Sequence, residues 1–163
     1  HLHGTEYFLS EWAGQIGLDL LFGEGSDLNE QLRQEGWIDD RFKQAYWNET
    51  DLAMIFLGGY HPDPEKAAKR LSLALRQQAQ LPINPEDFLR KKNALIGAIL
   101  GALDRLKDMT LLELRCSILG FDLYDYPQII QRLNIDQVDQ AIDFLRDPAL
   151  SPQASVYFYP PRM

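Results

Sequence analysis

Histidine, cysteine and carboxylate side chains are the usual ligands of catalytic metals, and this sequence offers few combinations of them. Its three histidines are His1, His3 and His61. His1 and His3 could bind a metal ion together with Glu6, but a flexible terminus is the preferred interpretation. His61 precedes a proline where a helix is predicted to start, which favours a structural or solvent-exposed side chain. The histidines therefore predict no catalytic metal site.

The paired carboxylates and the single cysteine also favour structural roles. Asp39 and Asp40 could work as an acid–base pair only if their surroundings separated their two pKa values. Their position just before a predicted strand favours a turn instead. Cys116 lies within a predicted helix, so we expect a small core residue rather than a reactive thiol.

The segment 22–36 combines the end of one predicted helix, a bend and a second helix. Two glycines flank Glu24 and could end the first helix in the left-handed conformation. Ser26 or Asp27 could then cap the second helix, and Asp27 has capping-box spacing with Glu30. Glycines at a helix N-terminus could also bind an anion, but Glu24 argues against phosphate. We interpret the segment as a helix-to-helix bend.

A longer pattern surrounds this bend. Leu32 and Arg33 lie in the second predicted helix, Gly36 ends it, and a strand is predicted to follow. This order resembles the insulinase/pitrilysin family of zinc peptidases, and most closely the second, non-catalytic half of its bacterial members. Later phrases that begin at Asn84 and Ile135 are similar to the family at the corresponding points.

The resemblance implies a function for the parent protein and a supporting role for this chain. Family peptidases use a zinc ion that polarises the scissile carbonyl group and activates water. A His-x-x-Glu-His sequence binds that ion, and this chain has no such sequence. The chain is therefore expected to hold no cofactor and to be inactive alone. A catalytic half-domain would carry the zinc, and this chain would close one wall of the chamber that binds the peptide substrate.

Arg33 is the one residue to which the resemblance gives a substrate-binding role. In family members whose second half assists catalysis, an arginine here and a tyrosine after the glycine reach the substrate near the zinc. The tyrosine position corresponds to Ile38 or Asp39, and neither is tyrosine. Arg33 could therefore bind substrate, or it could pair with Glu30 or another acidic neighbour.

Two other hypotheses remain open at this point. The chain could be an inactive peptidase-like subunit that serves as an interaction or scaffold protein, which the missing tyrosine favours. It could also be an unrelated α+β binding domain, if the phrase matches are coincidental.

Composition limits the other classes of function. A chain of 163 residues is one domain by length, and its net charge of −8 argues against a nucleic-acid partner. No apolar run approaches the roughly 20 residues that a membrane helix needs. A single cysteine is compatible with a reducing compartment, so we predict a cytoplasmic protein.

The apolar spacing predicts how the chain is organised. Helices are predicted over residues 6–22, 28–35, 64–80, 85–107, 110–120 and 127–133, and from 134 or 136 to 146. Strands are predicted over residues 42–47, 52–57 and 155–159. The nearly all-apolar second strand is expected to be an interior strand that is covered on both faces or shielded on one. Gly14 and Gly17 indicate that the first helix lies close to a neighbour such as a sheet, and Gly97 and Gly101 indicate another close helix.

Segregated strands and helices predict an α+β fold. We expect a two-layer domain whose helices cover one face of a mixed or antiparallel sheet. Three strands are few for so many helices, so a strand ahead of residue 1 is expected to be missing. Residues 1–163 would then form a single peptidase-like C-terminal half-domain, which is a fragment of a longer protein.

Overall fold

The fold is α+β, as predicted. The computed structural model describes residues 4–49, 52–147 and 149–159. Its helices and strands are, in order, α1 Gly4–Phe22, α2 Asp27–Gln34, β1 Lys43–Glu49, β2 Leu52–Gly58, α3 Pro64–Ala79, α4 Pro85–Leu103, α5 Leu106–Leu119, α6 Tyr126–Gln131 and α7 Ile135–Ile142. Short 3-10 turns precede α6 and follow α7. None of these described helices has the length and apolarity needed to cross a membrane.

The sheet is an antiparallel hairpin of β1 and β2, in which Tyr46 pairs with Ile55 and Trp47 with Met54. Because side chains alternate along a strand, Tyr46 faces α1 while Trp47 faces outward. Trp47 and Phe56 pack together on the outer face and remain about half exposed. In the described part of the chain β2 has no second neighbour, so its predicted interior position is wrong.

The strand predicted over residues 155–159 is also wrong, because this stretch forms neither helix nor strand. The preceding residues run along α3, where the Arg76 guanidinium donates to the Ser151 carbonyl oxygen over 3.1 Å. The Tyr159 hydroxyl then donates to the Glu65 carboxylate over 3.1 Å. Strand preference reflects packing in a pleated sheet, and among the described residues no strand pairs with this segment.

The helix α1 packs closely on two sides, as its glycines predict. A Cβ atom added to Gly14 would lie 2.0 Å from the ring of Tyr46. One added to Gly17 would lie 2.5 Å from a methyl group of Ile142 in α7. The missing side chains therefore let the sheet and α7 both approach this helix closely, within one turn of each other.

Two hydrophobic clusters form the core, and α1 contributes to both. In the first, the rings of Phe8 and Tyr126 meet edge to face with centroids 4.4 Å apart. Cys116 is fully buried in this cluster, which confirms its predicted core position. In the second cluster, Phe22 packs with Leu32 of α2. The second cluster thus fixes α2 against the end of α1.

The boundary between α4 and α5 differs from the prediction. Arg105 adopts an extended conformation between the two helices, with its guanidinium paired to the Asp108 carboxylate. Helix α5 therefore begins before Thr110, whose hydroxyl donates to the Leu106 carbonyl oxygen over 2.8 Å inside the helix. A serine or threonine can form such a bond to its own helix instead of capping it.

The helix approach predicted at Gly97 and Gly101 is wrong for the described residues. A Cβ atom at either position would meet nothing within 4 Å. These glycines thus lack the close contact that Gly17 has, although all three lie inside helices.

This contrast makes a direct test of packing. We expect Gly17→Ala to lower the free energy of unfolding by about 1–3 kcal/mol, because the new methyl group overlaps buried Ile142. Gly97→Ala should raise it by about 0.5–1 kcal/mol, because alanine favours a helix and meets nothing here. Urea unfolding of both variants measures the difference, and equal effects would contradict the close approach of α1 and α7.

Arg146 connects the end of α7 to α3. Its Nε donates to the Ala79 carbonyl oxygen over 2.8 Å, and its two terminal nitrogens bind the Asp139 carboxylate. These hydrogen bonds lower the pKa of Asp139 below its ordinary value. The ionised carboxylate therefore stabilises the fold above the unfolded pKa of about 3.9, and this stabilisation is lost as the pH falls through the folded value.

We expect Asp139→Asn to cost about 0.5–1 kcal/mol at pH 7, a modest value because the carboxylate is partly exposed. The cost should shrink towards zero below pH 4. Unfolding transitions followed from pH 7 to pH 2.5 measure it. Asp143→Asn, which removes a single hydrogen bond to Arg146, is the control and should have a smaller effect. A cost of Asp139→Asn that does not change with pH would contradict this ion pair.

Candidate substrate-binding surface

Helix α2 brings Arg33 to the surface between two well-defined ends. The Ser26 hydroxyl accepts a hydrogen bond from the Asn29 N–H over 3.3 Å, so Ser26 is the cap and the predicted capping box of Asp27 is wrong. Gly36 follows α2 with a φ of +78°, a conformation that favours glycine. The segment is the helix-to-helix bend that was predicted.

Asn29 links Arg33 to the end of α1. Its side chain is buried, and its amide nitrogen donates to the Phe22 carbonyl oxygen over 2.9 Å. Its amide oxygen accepts a hydrogen bond from Arg33 Nε over 2.9 Å. Because Asn29 is held by the last turn of α1, the guanidinium of Arg33 is held in one orientation at the surface.

The acidic partner of Arg33 is Asp40 rather than Glu30. Arg33 Nη1 donates to Asp40 Oδ1 over 2.6 Å. The Arg33 side chain is 31% exposed and that of Asp40 is 100% exposed. The pair therefore lies at the rim of the surface, and a solute can reach both groups.

Asp39 holds the turn into β1, as predicted. Its carboxylate accepts the Arg41 backbone N–H over 2.9 Å and the Arg41 Nε over 2.9 Å. The side-chain hydrogen bonds from Arg41 are the main cause that lowers the pKa of Asp39. Asp39 and Asp40 therefore bind different arginines, and the structure gives no sign of a shared proton between them.

Aromatic side chains border the same surface. The Arg41 guanidinium lies 4.7 Å from the centre of the exposed Tyr60 ring. The Trp37 ring stacks on His61 at 5.2 Å, and His61 Nδ1 accepts the Asp63 N–H over 3.0 Å. These contacts confirm a structural role for His61.

The position expected for a tyrosine does not reach Arg33. Ile38 is 6% exposed and packs in the second hydrophobic cluster, and Asp39 holds the turn. An acidic neighbour of Arg33 was predicted, but neither Asp40 nor Asn29 was named as its partner. The spacing of four residues between Asn29 and Arg33 on one helix could have indicated the first of them.

The residues that the structure describes do not fit a zinc ion. Within the described ranges, no three histidine, cysteine, aspartate or glutamate side chains are grouped closely enough to hold a metal. His1 and His3 lie outside the described residues, so a metal site or a flexible terminus stays a prediction for them. The sequence also contains no His-x-x-Glu-His. No chemical step of this chain is therefore assigned to zinc.

A groove of about 550 Å³ lies elsewhere, between the start of α1 and α5. Its walls are about as polar as they are apolar, and the Arg115 guanidinium in them is paired with Glu11. The lining residues are Gly4, Tyr7, Glu49, Leu111, Leu114, Arg115, Ile118 and Leu119. The family resemblance gives no role to the residues of this groove, whereas it gives Arg33 a substrate-binding role, so the surface around Arg33 is taken as the candidate binding surface.

Comparisons with known proteins place the chain among peptidase-like folds. No protein-family model matches the chain. It is 26% identical over 139 residues to the uncharacterized zinc protease YmfH of Bacillus subtilis, a match that covers 85% of the chain. The crystal structure of an M16-like peptidase from Alicyclobacillus acidocaldarius has the same fold, with a TM-score of 0.72 over 89% of the chain at 23% identity.

The chain spans about a third of each relative, 32% of YmfH and 34% of the Alicyclobacillus protein. The whole activity of a protein of that size therefore cannot be transferred to these 163 residues.

The buried amide of Asn29 gives a test of how Arg33 is positioned. We expect Asn29→Ala to lower the free energy of unfolding by about 1–3 kcal/mol, because a buried carbonyl oxygen and Arg33 Nε both lose their partner. The control is Gln31→Ala, whose exposed side chain binds Glu35 on the same helix and should matter by less than about 0.5 kcal/mol. Urea unfolding measures both variants. Equal costs would contradict the positioning role.

Proposed function

Because the predicted resemblance to the insulinase/pitrilysin zinc peptidases is confirmed, we propose that this chain is the non-catalytic C-terminal half-domain of a metallopeptidase. Residues 1–163 would form one such half-domain within a longer polypeptide. The chain would form one wall of the peptide-binding chamber and would pack against a catalytic half-domain that binds the zinc. Its composition favours a cytoplasmic location and a peptide rather than a nucleic acid as ligand.

One observation carries the proposal. The similarity to a zinc protease extends over 85% of a chain that has no zinc-binding sequence of its own. A relative three times as long leaves ample room for a zinc site outside the matched third. The matched third would then support the reaction instead of performing it.

The surface around Arg33 supports a role in peptide binding. A guanidinium donates N–H groups in a fixed plane, which suits the carbonyl and carboxylate oxygens of a peptide. Asn29 holds this group in place, so little side-chain freedom is lost when a ligand binds. The outer face of the hairpin exposes Trp47 and Phe56, which could contact apolar side chains of a peptide.

A specific observation favours the second hypothesis, an inactive interaction or scaffold subunit. Arg33 is already paired with Asp40, and buried Ile38 stands where the family resemblance expects a tyrosine. Peptide binding by Arg33 separates the two hypotheses, because a scaffold would not need it.

We expect Arg33→Gln in the parent polypeptide to lower kcat/KM for peptide hydrolysis by about 10- to 100-fold. This range corresponds to the loss of a hydrogen bond from a charged donor, about 1.5–3 kcal/mol. Arg90→Gln is the matched control, because Arg90 forms an exposed ion pair with Asp87 in α4. A zinc chelator should abolish hydrolysis, and residues 1–163 alone should show none.

Hydrolysis that is equal in Arg33→Gln and the unaltered protein would contradict the substrate-binding role of Arg33. A parent polypeptide that hydrolyses no peptide, with or without added zinc, would favour the scaffold hypothesis.

A further inference from the structure

The ion pair between Arg33 and Asp40 differs from the two other ion pairs at this surface. Arg70 pairs with Glu35, and these two side chains are only 24% and 35% exposed. Asp39 accepts three hydrogen bonds from Arg41, one of them from the backbone. Asp40, in contrast, is wholly exposed and makes a single hydrogen bond.

The Asp40 carboxylate is therefore the easiest of the three to displace. An exposed ion pair gains little free energy, because water screens the charges and two side chains lose freedom. When Asp40 swings away, its carboxylate regains water contact, while Asn29 still holds the Arg33 guanidinium in place. The binding group stays ordered when its partner leaves.

The guanidinium also has an unused donor. Arg33 Nε binds Asn29 and Nη1 binds Asp40, and no described residue accepts a hydrogen bond from Nη2. A carboxylate that enters from solvent can use Nη1 and Nη2 together. Such two-point pairs are stronger and more specific in direction than a single bond, so an entering carboxylate has an advantage over Asp40.

From this geometry we propose that Asp40 is an internal competitor for a carboxylate-binding site at Arg33, and that the peptides bound here carry a carboxylate at that point. The inference rests on the proposed function for the peptide, but its chemistry concerns only Arg33 and its partners. The carboxylate could be the C-terminus of a peptide or an acidic side chain. Asp40 occupies the site until such a group replaces it, which would select against peptides with neither.

The test uses small probes on the parent polypeptide, with ¹⁵N-arginine NMR of the Arg33 side chain as the readout. The probes are acetyl-Ala-Ala with a free C-terminus, its C-terminal amide, and acetyl-Glu-Ala-amide. We expect Asp40→Asn to bind the carboxylate probes about two- to fivefold more tightly than the unaltered protein. This range corresponds to the small free energy of an exposed ion pair, which a ligand no longer has to break. The amide of acetyl-Ala-Ala should not shift the Arg33 signals in either protein.

Two variants control this result. Glu30→Gln removes the same charge from α2 without removing a partner of Arg33, so its affinity for the carboxylate probes should stay unchanged. Arg33→Lys keeps the charge but not the planar pair of donors, and its preference for carboxylate over amide should be clearly weaker than that of the unaltered protein. Unfolding transitions confirm that each variant is folded.

Equal affinity of the unaltered protein and Asp40→Asn for the carboxylate probes would overturn the proposal, as would equal gains in Glu30→Gln. Equal binding of the amide and the free acid would overturn the carboxylate class. The two carboxylate probes distinguish a C-terminus from an acidic side chain. If the small probes bind as expected while longer peptides are neither bound nor hydrolysed, the carboxylate site stands and the proposed peptidase function fails.

Discussion

The close contact of α1 with the hairpin and with α7 is the constraint on which the rest of the structure depends. Gly14 lies against the ring of Tyr46 in the hairpin, and Gly17 lies against Ile142 in α7. A larger residue at either position would push the sheet or α7 away. Both hydrophobic clusters include side chains of α1, so a shift of this helix would disturb the whole core.

Contacts with this helix also hold the candidate binding surface in place. The last turn of α1 presents the Phe22 carbonyl oxygen to Asn29, and Asn29 in turn binds Arg33. A buried hydrogen bond thus connects the core to an exposed guanidinium. Groups that are fixed before a ligand arrives lose less freedom on binding, which is why a surface arginine can contribute to recognition. Asp40 opposes ligand binding, because it already accepts a hydrogen bond from one nitrogen of the Arg33 guanidinium.

Local signals predicted much of this fold. The bend after α1, the two strands of the hairpin and the starts of α3 and α4 were predicted, and the structure has them. The failures involve tertiary context. Residues 155–159 have strand composition but no partner strand in the described part of the chain, and Thr110, where a helix was predicted to begin, lies inside a longer helix. The sequence predicted Arg33 as a site residue, but it did not predict Asp40 as its partner. That ion pair depends on where the turn after α2 places Asp40 in space.

The most direct test of the account is whether a zinc peptidase needs this chain. The measurement is peptide hydrolysis by the parent polypeptide, by the same polypeptide without residues 1–163, and by a mixture of the two separated parts. The account predicts strong loss of hydrolysis without the chain and recovery when the chain is added back. Undiminished hydrolysis by the shortened polypeptide would contradict it, because the chain would then form no necessary wall of the peptide chamber.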